Sequence, residues 1–148
     1  MIRKANRPKT DADGRITVKI SQVEEKIVQD IKKMKKGLAP DACEYEAVDF
    51  TFTMEGTNGK FELTERAGSV VNSEPASSKY RGKDKTYNKF TTIMVATGLL
   101  TVETLDSFDV DQLYKDMMGL VGTELNVQLT KNGNFYQMDV ASLKPLDK

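Results

Sequence analysis

Apolar and polar residues alternate along five stretches of this chain, and alternation with this period predicts strands that each bury one face. The five stretches are residues 15–20, 45–54, 60–64, 124–129 and 135–140. A Gly-Thr-Asn-Gly turn at 56–59 joins the second stretch to the third, and an Asn-Gly turn at 132–133 joins the fourth to the fifth. Both pairs are therefore predicted to form β-hairpins.

A helix is predicted directly after the first strand. Ser21 and Glu24 have the spacing of a capping box, and Gly37 marks the end of the pattern. The apolar residues of its inner face would be Val23, Ile27, Ile31 and Met34. Its last turn would carry the lysines Lys32, Lys33, Lys35 and Lys36. Because the helix dipole favours cations there, these lysines have a structural explanation and are not counted as ligand contacts.

Two shorter helices are predicted between the hairpins. Residues 90–97 follow the helical period and end at Gly98. The next helix begins at Asp109, which can cap it, and Gln112 would complete a capping box. The apolar residues of its inner face would be Leu113, Met117 and Leu120, with Phe108 packed on the first of them.

Strands that cluster into antiparallel pairs, and do not alternate with helices, indicate an α+β fold. A chain of 148 residues is long enough for one domain with a real core. We expect residues 1–14 to be a flexible basic arm and residues 15–148 to be the domain. Short strands with an N-terminal helix and a helical insertion fit a small, partly open antiparallel β-barrel of OB-fold type. A flat antiparallel sheet with helices on one face fits equally well, and the sequence leaves both open.

Composition argues against several kinds of chemistry. The chain has no histidine and one cysteine, Cys43, which excludes Ser-His and Cys-His catalysis and the usual zinc sites. Its glycine pairs lack the lysine of a P-loop, and the aspartates at 106, 109 and 111 lack the spacing of a calcium loop. We therefore expect a protein that is not an enzyme and that holds no metal or cofactor. Chemistry based on carboxylates and magnesium stays open, with a metal-dependent nuclease as a third hypothesis.

The expected location is the cytoplasm. No apolar stretch is long enough to span a bilayer, so no membrane partner is expected. The first residues lack the apolar segment of a secretory signal. A single cysteine cannot form an internal disulfide, which fits a reducing compartment.

Charge is balanced overall but segregated along the chain. The 22 Lys and Arg residues equal the 22 Asp and Glu residues in number. Residues 1–40 and 79–90 are basic, whereas residues 41–78 and 91–148 are acidic. The two basic zones would hold an anionic ligand. Lysines and arginines also keep a surface soluble, so charge alone does not separate a binding site from a solvated surface.

The most distinctive segment runs from Lys79 to Phe90 and mixes five cations with three aromatic rings. Cations bind phosphates and rings stack on unpaired bases, so the mixture predicts a surface for single-stranded nucleic acid. The predicted contacts are Lys79, Tyr80, Arg81, Lys83, Lys85, Tyr87 and Lys89. This run ends a long connection, residues 68–89, which we expect to be a mobile loop that its ligand orders. The alternative is a solvated linking loop, with Phe90 in the core of the next helix.

Two further groups complete the predicted site. Arg3, Lys4 and Arg7 in the arm would add contacts to phosphates. Phe135 and Tyr136 are adjacent on a predicted strand, so their side chains point to opposite faces. Phe135 is out of phase with the apolar residues that follow it, and it is therefore the ring predicted to be exposed and to contact the ligand.

The chain resembles a layout found in phage and prophage proteins. The residues that carry the resemblance are Phe90-Thr-Thr-Ile-Met-Val-Ala-Thr-Gly-Leu-Leu, the helix from Leu113 to Gly122, and the hairpin from Glu124 to Val140 with its Asn-Gly-x-aromatic turn. As a pattern it covers roughly residues 45–145 and leaves residues 1–40 unmatched. Some proteins with this layout are encoded beside replication and recombination genes and bind single-stranded DNA through OB-type folds. The resemblance implies the same function here.

The predicted function is therefore binding of single-stranded DNA, as a phage accessory protein in replication or recombination within the cytoplasm of a bacterial host. RNA stays open as an alternative ligand, and a homo-oligomer as an alternative to a monomer. A second hypothesis is a viral protein–protein interaction module, such as a virion, assembly or host-inhibitory protein. Net neutrality favours this second hypothesis, because dedicated nucleic-acid binders usually carry a more one-sided charge.

Overall fold

Five antiparallel strands form one sheet, and two short helices pack against it. The computed structural model describes residues 6–29, 35–37, 44–68, 89–104, 108–133 and 135–146. Within these residues the strands are β1 (Arg15–Gln29), β2 (Glu44–Gly56), β3 (Gly59–Gly68), β4 (Glu124–Asn132) and β5 (Phe135–Pro145). The helices are α1 (Lys89–Thr97) and α2 (Val110–Met117), with short 3-10 turns at Val102–Thr104 and Met118–Leu120.

The strand order across the sheet is β3-β2-β1-β4-β5, with β1 at the centre. β1 is shared between two partners: residues 15–19 pair with β4, and residues 18–29 pair with β2. The other two ladders are hairpins, which close at Gly56–Gly59 and at Asn132–Phe135. The α+β class, the antiparallel sheet and both predicted hairpins are confirmed.

The helix predicted after the first strand is wrong over residues 21–29, which continue β1. Lys35 is helical, and Gly37, the predicted end, has a φ of 83°. Val23 and Ile27 are four residues apart, and residues four apart share a face in a strand as well as in a helix. With Val28 they are also β-branched, which favours extended backbone. The ladder to β2 extends to Gln29 and outweighs the local capping signal. Residues 30–34 of the predicted helix lie outside the described residues.

Ser21 forms a β-bulge where the sequence predicted a helix cap. The register between β1 and β2 shifts directly after Ile20, which indicates an extra residue in β1. The Ser21 hydroxyl donates to the carbonyl of Thr51 at 3.2 Å and accepts from the hydroxyl of Thr53 at 2.8 Å. Because the bulge changes the phase of the strand, Ile20 and Val23 are both buried although they are three residues apart.

Both helices predicted between the hairpins are confirmed. α1 ends before Gly98, whose φ of 85° is accessible to glycine without strain. Asp109 caps α2, since its carboxylate accepts from the backbone N–H of Gln112 at 3.0 Å. The Gln112 side chain does not complete the predicted capping box; it donates instead to Asp116 Oδ1, one turn further along, at 2.9 Å.

The core lies between one face of the sheet and the two helices. The most deeply buried large side chains are Ile20, Phe50, Phe52, Phe90, Ile93, Met94, Met117 and Leu125. Phe90 therefore belongs to the core, and its ring lies 6.3 Å from that of Tyr114 on α2. Tyr80 and Tyr87, the other two rings of residues 79–90, lie outside the described residues.

The two edge strands approach each other at one point. The rings of Phe61 on β3 and Tyr136 on β5 meet edge to face, with their centroids 5.9 Å apart. Because the first and last strands of the order touch, the sheet must be strongly coiled. No ladder joins β3 to β5 among the described residues, so the sheet is open along this line.

The chain before β1 lies against the turn between β2 and β3. The backbone N–H of Thr57 donates to the carbonyl of Arg7 at 2.7 Å, and the N–H of Arg7 donates to Thr57 Oγ1 at 3.1 Å. Lys9 N donates to the carbonyl of Glu55 at 2.9 Å. Residues 7 and 9 of the basic arm are thus hydrogen-bonded to the domain, whereas Arg3 and Lys4 lie outside the described residues.

Two phenylalanines give a direct test of this core. Phe52→Ala should lower the free energy of unfolding by about 3–5 kcal/mol, because it empties a fully buried site. Phe135→Ala should change it by no more than about 0.5 kcal/mol, because 76% of Phe135 is exposed. Chemical denaturation of both variants makes the comparison. Equal losses would contradict the assignment of one ring to the core and the other to the surface.

Candidate nucleic-acid interface

The turns of the two hairpins lie at the same end of the sheet. The contact between Phe61 and Tyr136 joins them, since Phe61 follows the β2–β3 turn by two residues and Tyr136 follows the β4–β5 turn. Each turn is flanked by one exposed lysine, Lys60 on the first and Lys131 on the second. Residues that are about 75 positions apart in the sequence therefore share one surface.

The β4–β5 turn contributes the aromatic part of this surface. Phe135 is the most exposed of the large apolar side chains in the described residues. Tyr136 is half-buried against Phe61, and the ammonium of Lys131 lies 5.7 Å from the centre of its ring. A cation at this distance is attracted to the face of the ring. Phe135 is therefore an exposed ring, and its neighbour Tyr136 is held by Phe61 and Lys131 on the opposite face of β5.

The β2–β3 turn contributes cations. Thr57 in this turn fixes Arg7, since its backbone N–H donates to the Arg7 carbonyl and its hydroxyl accepts from the Arg7 N–H. The Arg7 side chain is exposed. Asn6 adds to this attachment, because its side chain donates to the carbonyl of Lys60 at 3.0 Å. The carboxylate of Glu55 is paired with Lys9 at 3.4 Å.

We define the turn-end surface as Arg7, Lys60, Lys131, Phe135 and Tyr136. It combines three exposed cations with an exposed ring and a half-buried ring. Phosphates bind cations and unpaired bases stack on rings, so the chemistry of this surface suits a single nucleic-acid strand.

A groove runs from the turn-end surface between the two edge strands. Its volume is about 420 Å3, and residues 63–65 of β3 face residues 136–140 of β5 across it. Lys89, the first residue of α1, also lines the groove. Its ammonium lies 3.5 Å from Glu65 Oε2 and donates to the carbonyl of Arg66 at 3.2 Å. The predicted phosphate contact Lys89 is thus partnered by a carboxylate, away from the turns.

An ion-pair cluster lies on the outer face of the sheet. Arg66 Nε and Nη2 donate to the two oxygens of Asp49 at 2.8 and 2.9 Å. Lys26 Nζ lies 3.3 Å from the same carboxylate. The Arg66 hydrogen bonds hold the pKa of Asp49 below its ordinary value, although burial of the carboxyl works in the opposite direction, and Lys26 adds to the lowering. The cluster ties β1, β2 and β3 together and has the chemistry of a structural contact.

Of the predicted site residues, the structure describes Arg7, Lys89 and Phe135. It brings Arg7 and Phe135 to the same end of the sheet, and Phe135 is exposed as predicted. Lys89 lies elsewhere, in the groove. The remaining predicted contacts lie outside the described residues: Arg3, Lys4, Lys79, Tyr80, Arg81, Lys83, Lys85 and Tyr87.

Sequence reasoning missed Lys60, Lys131 and Tyr136 as members of one surface. A signal was present at each hairpin turn. Lys60 is followed directly by Phe61, and Lys131 precedes the Asn-Gly turn after which Phe135 and Tyr136 follow. What the sequence lacked was the contact between the edge strands, which brings the two turns together.

Two of the four lysines predicted at the end of the first helix are described. Lys35 is helical, Gly37 has a φ of 83°, and Lys35 and Lys36 are both exposed. Lys32 and Lys33 lie outside the described residues. The structural explanation of Lys35 and Lys36, as cations near the end of a helix, is not overturned.

Within the residues that the structure describes, no group of three or more His, Cys, Asp or Glu side chains is arranged to hold a metal ion. No helix there is both long and apolar enough to cross a membrane.

Comparison with known proteins returned no relationship: no family model, curated protein or solved structure matches this chain. The resemblance to phage single-stranded-DNA-binding proteins therefore stays a prediction from the residues alone.

The Asp49 cluster yields a prediction about pH. Asp49→Asn should lower the free energy of unfolding by about 1–3 kcal/mol at neutral pH, because the buried carboxylate loses its charge-assisted bonds. Since the pKa of Asp49 is lowered by folding, this stabilisation is complete above the ordinary pKa of a carboxyl group. It is lost as the pH falls through the lowered value.

Denaturation of both proteins over a range of acidic pH provides the measurement. The gap between wild type and Asp49→Asn should close as the solution is acidified. Glu62→Gln, which neutralises an exposed carboxylate on β3, is the control and should show almost no gap at any pH. A constant gap for Asp49→Asn would contradict the ionic origin of the effect.

Proposed function

We propose that this protein binds single-stranded nucleic acid, with DNA as the expected ligand, and that it does so without catalysis. The observation that carries the proposal is the exposed ring of Phe135, at the same end of the sheet as the exposed cations Lys60 and Lys131 of the two turns. A stacked base would cover this ring.

The strand order supports a finer statement about the fold. We propose that the chain is a variant of the OB type, a five-stranded and partly open barrel. A central β1 shared between β2 and β4, helices between β3 and β4, and contact between the edge strands are all compatible with it. In that fold the β1–β2 and β4–β5 connections bind oligonucleotides. Here those connections carry Lys35 and Lys36, and Lys131 and Phe135, respectively.

The mechanism has two parts. Arg7, Lys60 and Lys131 neutralise phosphates and release counterions, which gives affinity for any sequence and strong dependence on salt. Phe135 stacks on a base, and Tyr136, held by Phe61 on the opposite face of β5, fixes the position of the turn. Stacking tolerates all bases, because every base has an aromatic face.

The basic-aromatic run, residues 79–90, supplies a second set of contacts in this proposal. Lys79, Arg81, Lys83 and Lys85 would bind phosphates, and Tyr80 and Tyr87 would stack. Arg3 and Lys4 would extend the cations of Arg7 along the strand. A role as a phage accessory protein in replication or recombination, in the cytoplasm of a bacterial host, is the biological setting we propose for this activity.

Titration of a labelled oligothymidine, followed by fluorescence anisotropy at several salt concentrations, tests the function. We expect binding that weakens steeply with salt. Replacing Arg7, Lys60 and Lys131 together with alanine should reduce the slope of log affinity against log salt by about 2, since each phosphate contact contributes about 0.7 for a single strand. Lack of binding at low salt, or tight binding that ignores salt, would refute the proposal.

Matched variants separate the two sets of contacts. Lys115→Ala removes an exposed cation from α2, away from the turns, and should leave the salt slope unchanged. A triple replacement of Lys83, Lys85 and Tyr87 with alanine removes contacts of the basic-aromatic run alone. If only this triple variant loses affinity, the run is the binding site and the turn-end surface is not.

Phe135→Ala should weaken oligothymidine binding by about 1–3 kcal/mol, the contribution of one base stacked on a ring. Phe135→Tyr keeps a ring and should bind as wild type does, whereas Phe135→Leu keeps apolar area without a ring and should resemble the alanine variant. The salt slope should be the same in all of them. Wild-type affinity in Phe135→Ala would remove the ring from the site.

A further inference from the structure

Both hairpin turns contain an asparagine followed directly by a glycine. The two pairs are Asn58-Gly59 in the β2–β3 turn and Asn132-Gly133 in the β4–β5 turn. Asparagine in this position is chemically labile. Because glycine has no side chain, its backbone nitrogen can approach the side-chain carbonyl of the residue before it closely.

The reaction at such a pair is deamidation, and it needs only water. The glycine nitrogen attacks Cγ of the asparagine, so that a new C–N bond closes a five-membered succinimide ring. The bond from Cγ to Nδ2 breaks, and the side-chain nitrogen leaves as ammonia with the proton from the glycine nitrogen. Water then opens the ring at one of its two carbonyls, which produces aspartate or isoaspartate. Either product adds one negative charge.

Ring closure requires a backbone rotation at the asparagine that a closed hairpin turn does not allow. The turn must therefore open before the reaction can start. Local opening has the lowest free energy where the fewest hydrogen bonds hold the backbone. The two turns should thus react at different rates if they are held differently.

The β2–β3 turn is held by the chain before β1. Asn6 Oδ1 accepts from the backbone N–H of Asn58 at 2.9 Å, and Asn6 Nδ2 donates to the carbonyl of Lys60 at 3.0 Å. The two bonds between Arg7 and Thr57 add to this attachment. Opening this turn would break several of these bonds, so Asn58 is protected although it is exposed to solvent.

The β4–β5 turn extends into solvent. Asn132 and Gly133 are both exposed, and a Cβ atom built on Gly133 would meet no atom within 4 Å. Gly133 has a φ of 64°, in the left-handed region that an Asn-Gly turn uses. The ladder of the hairpin closes with the pair Asn132 and Phe135. In the described part of the chain, no segment binds this turn as residues 6 and 7 bind the other.

We propose that Asn132 is a site of deamidation and that Asn58, with the same neighbouring glycine, is protected by Asn6. The product places a carboxylate between Lys131 and Phe135 in the sequence, at the turn-end surface. Isoaspartate also lengthens the backbone by one carbon, which disturbs the closing pair with Phe135. Deamidation therefore weakens nucleic-acid binding. This last consequence rests on the proposed function, whereas the modification itself does not.

Incubation of the full chain in mildly alkaline buffer, followed by peptide mapping with mass spectrometry, tests the modification. We expect Asn132 to lose its amide well before Asn58 does, and fragmentation of the peptide distinguishes Asn132 from Asn134. In concentrated urea the two sites should react at similar rates, because both precede glycine. Equal rates in the folded protein, or a faster reaction at Asn58, would overturn the inference.

Two variants test its structural cause. Asn6→Ala removes both side-chain hydrogen bonds to the β2–β3 turn and should speed the loss of the Asn58 amide by about tenfold, with Asn132 unchanged. Asn132→Gln keeps an amide but needs a six-membered ring for the same reaction, so amide loss at this position should stop. An unchanged rate at Asn58 in Asn6→Ala would contradict the protective role of Asn6.

Asn132→Asp, which is one of the two products, tests the consequence for binding. In the oligothymidine titration it should lower the slope of log affinity against log salt by about 0.7, the contribution of one phosphate contact on a single strand. A wild-type slope and affinity in this variant would refute the effect on binding and leave the modification intact. Lack of binding by both wild type and variant would refute the proposed function alone.

Discussion

The fold depends on one strand serving two neighbours. β1 pairs with β4 along its beginning and with β2 along its end, so both hairpins attach to the same segment of backbone. A straight strand could not keep its apolar residues on the core face through such a change of partner. The bulge at Ser21 resolves this, because the extra residue bends the strand and resets its phase. The coil of the sheet, and hence the contact between its edges, follows from this bend.

The sequence predicted what depends on short-range signals. Alternation located the strands, the Asn-Gly turn located the second hairpin, and Asp109 located the start of α2. It failed at residues 21–29, where the capping signal of Ser21 and Glu24 competed with a ladder to a strand that begins at Glu44. The energy of that ladder comes from residues far along the chain, so no local pattern could reveal it.

In the candidate site too, features set within one strand were predictable and features set by contacts between distant residues were not. Exposure of Phe135 followed from its phase within one strand, and that prediction is confirmed. Its grouping with Arg7 and Lys60 did not, because it requires Phe61 and Tyr136 to meet across the opening of the sheet. The basic-aromatic run is the opposite case, since its composition is visible in the sequence and its geometry lies outside the described residues. The proposed function therefore draws on two independent observations.

Asp49 has a consequence for how the sheet can open. One buried carboxylate holds a cation from each neighbouring strand, Arg66 on β3 and Lys26 on β1. Neither β1 nor β3 can separate from β2 without leaving part of that charge unsatisfied in a site of low polarity. The three strands should therefore open as one cooperative unit, with their amide protons exchanging together and not from the edge inwards. A single side chain, Asp49, thereby couples the opening of β1, β2 and β3.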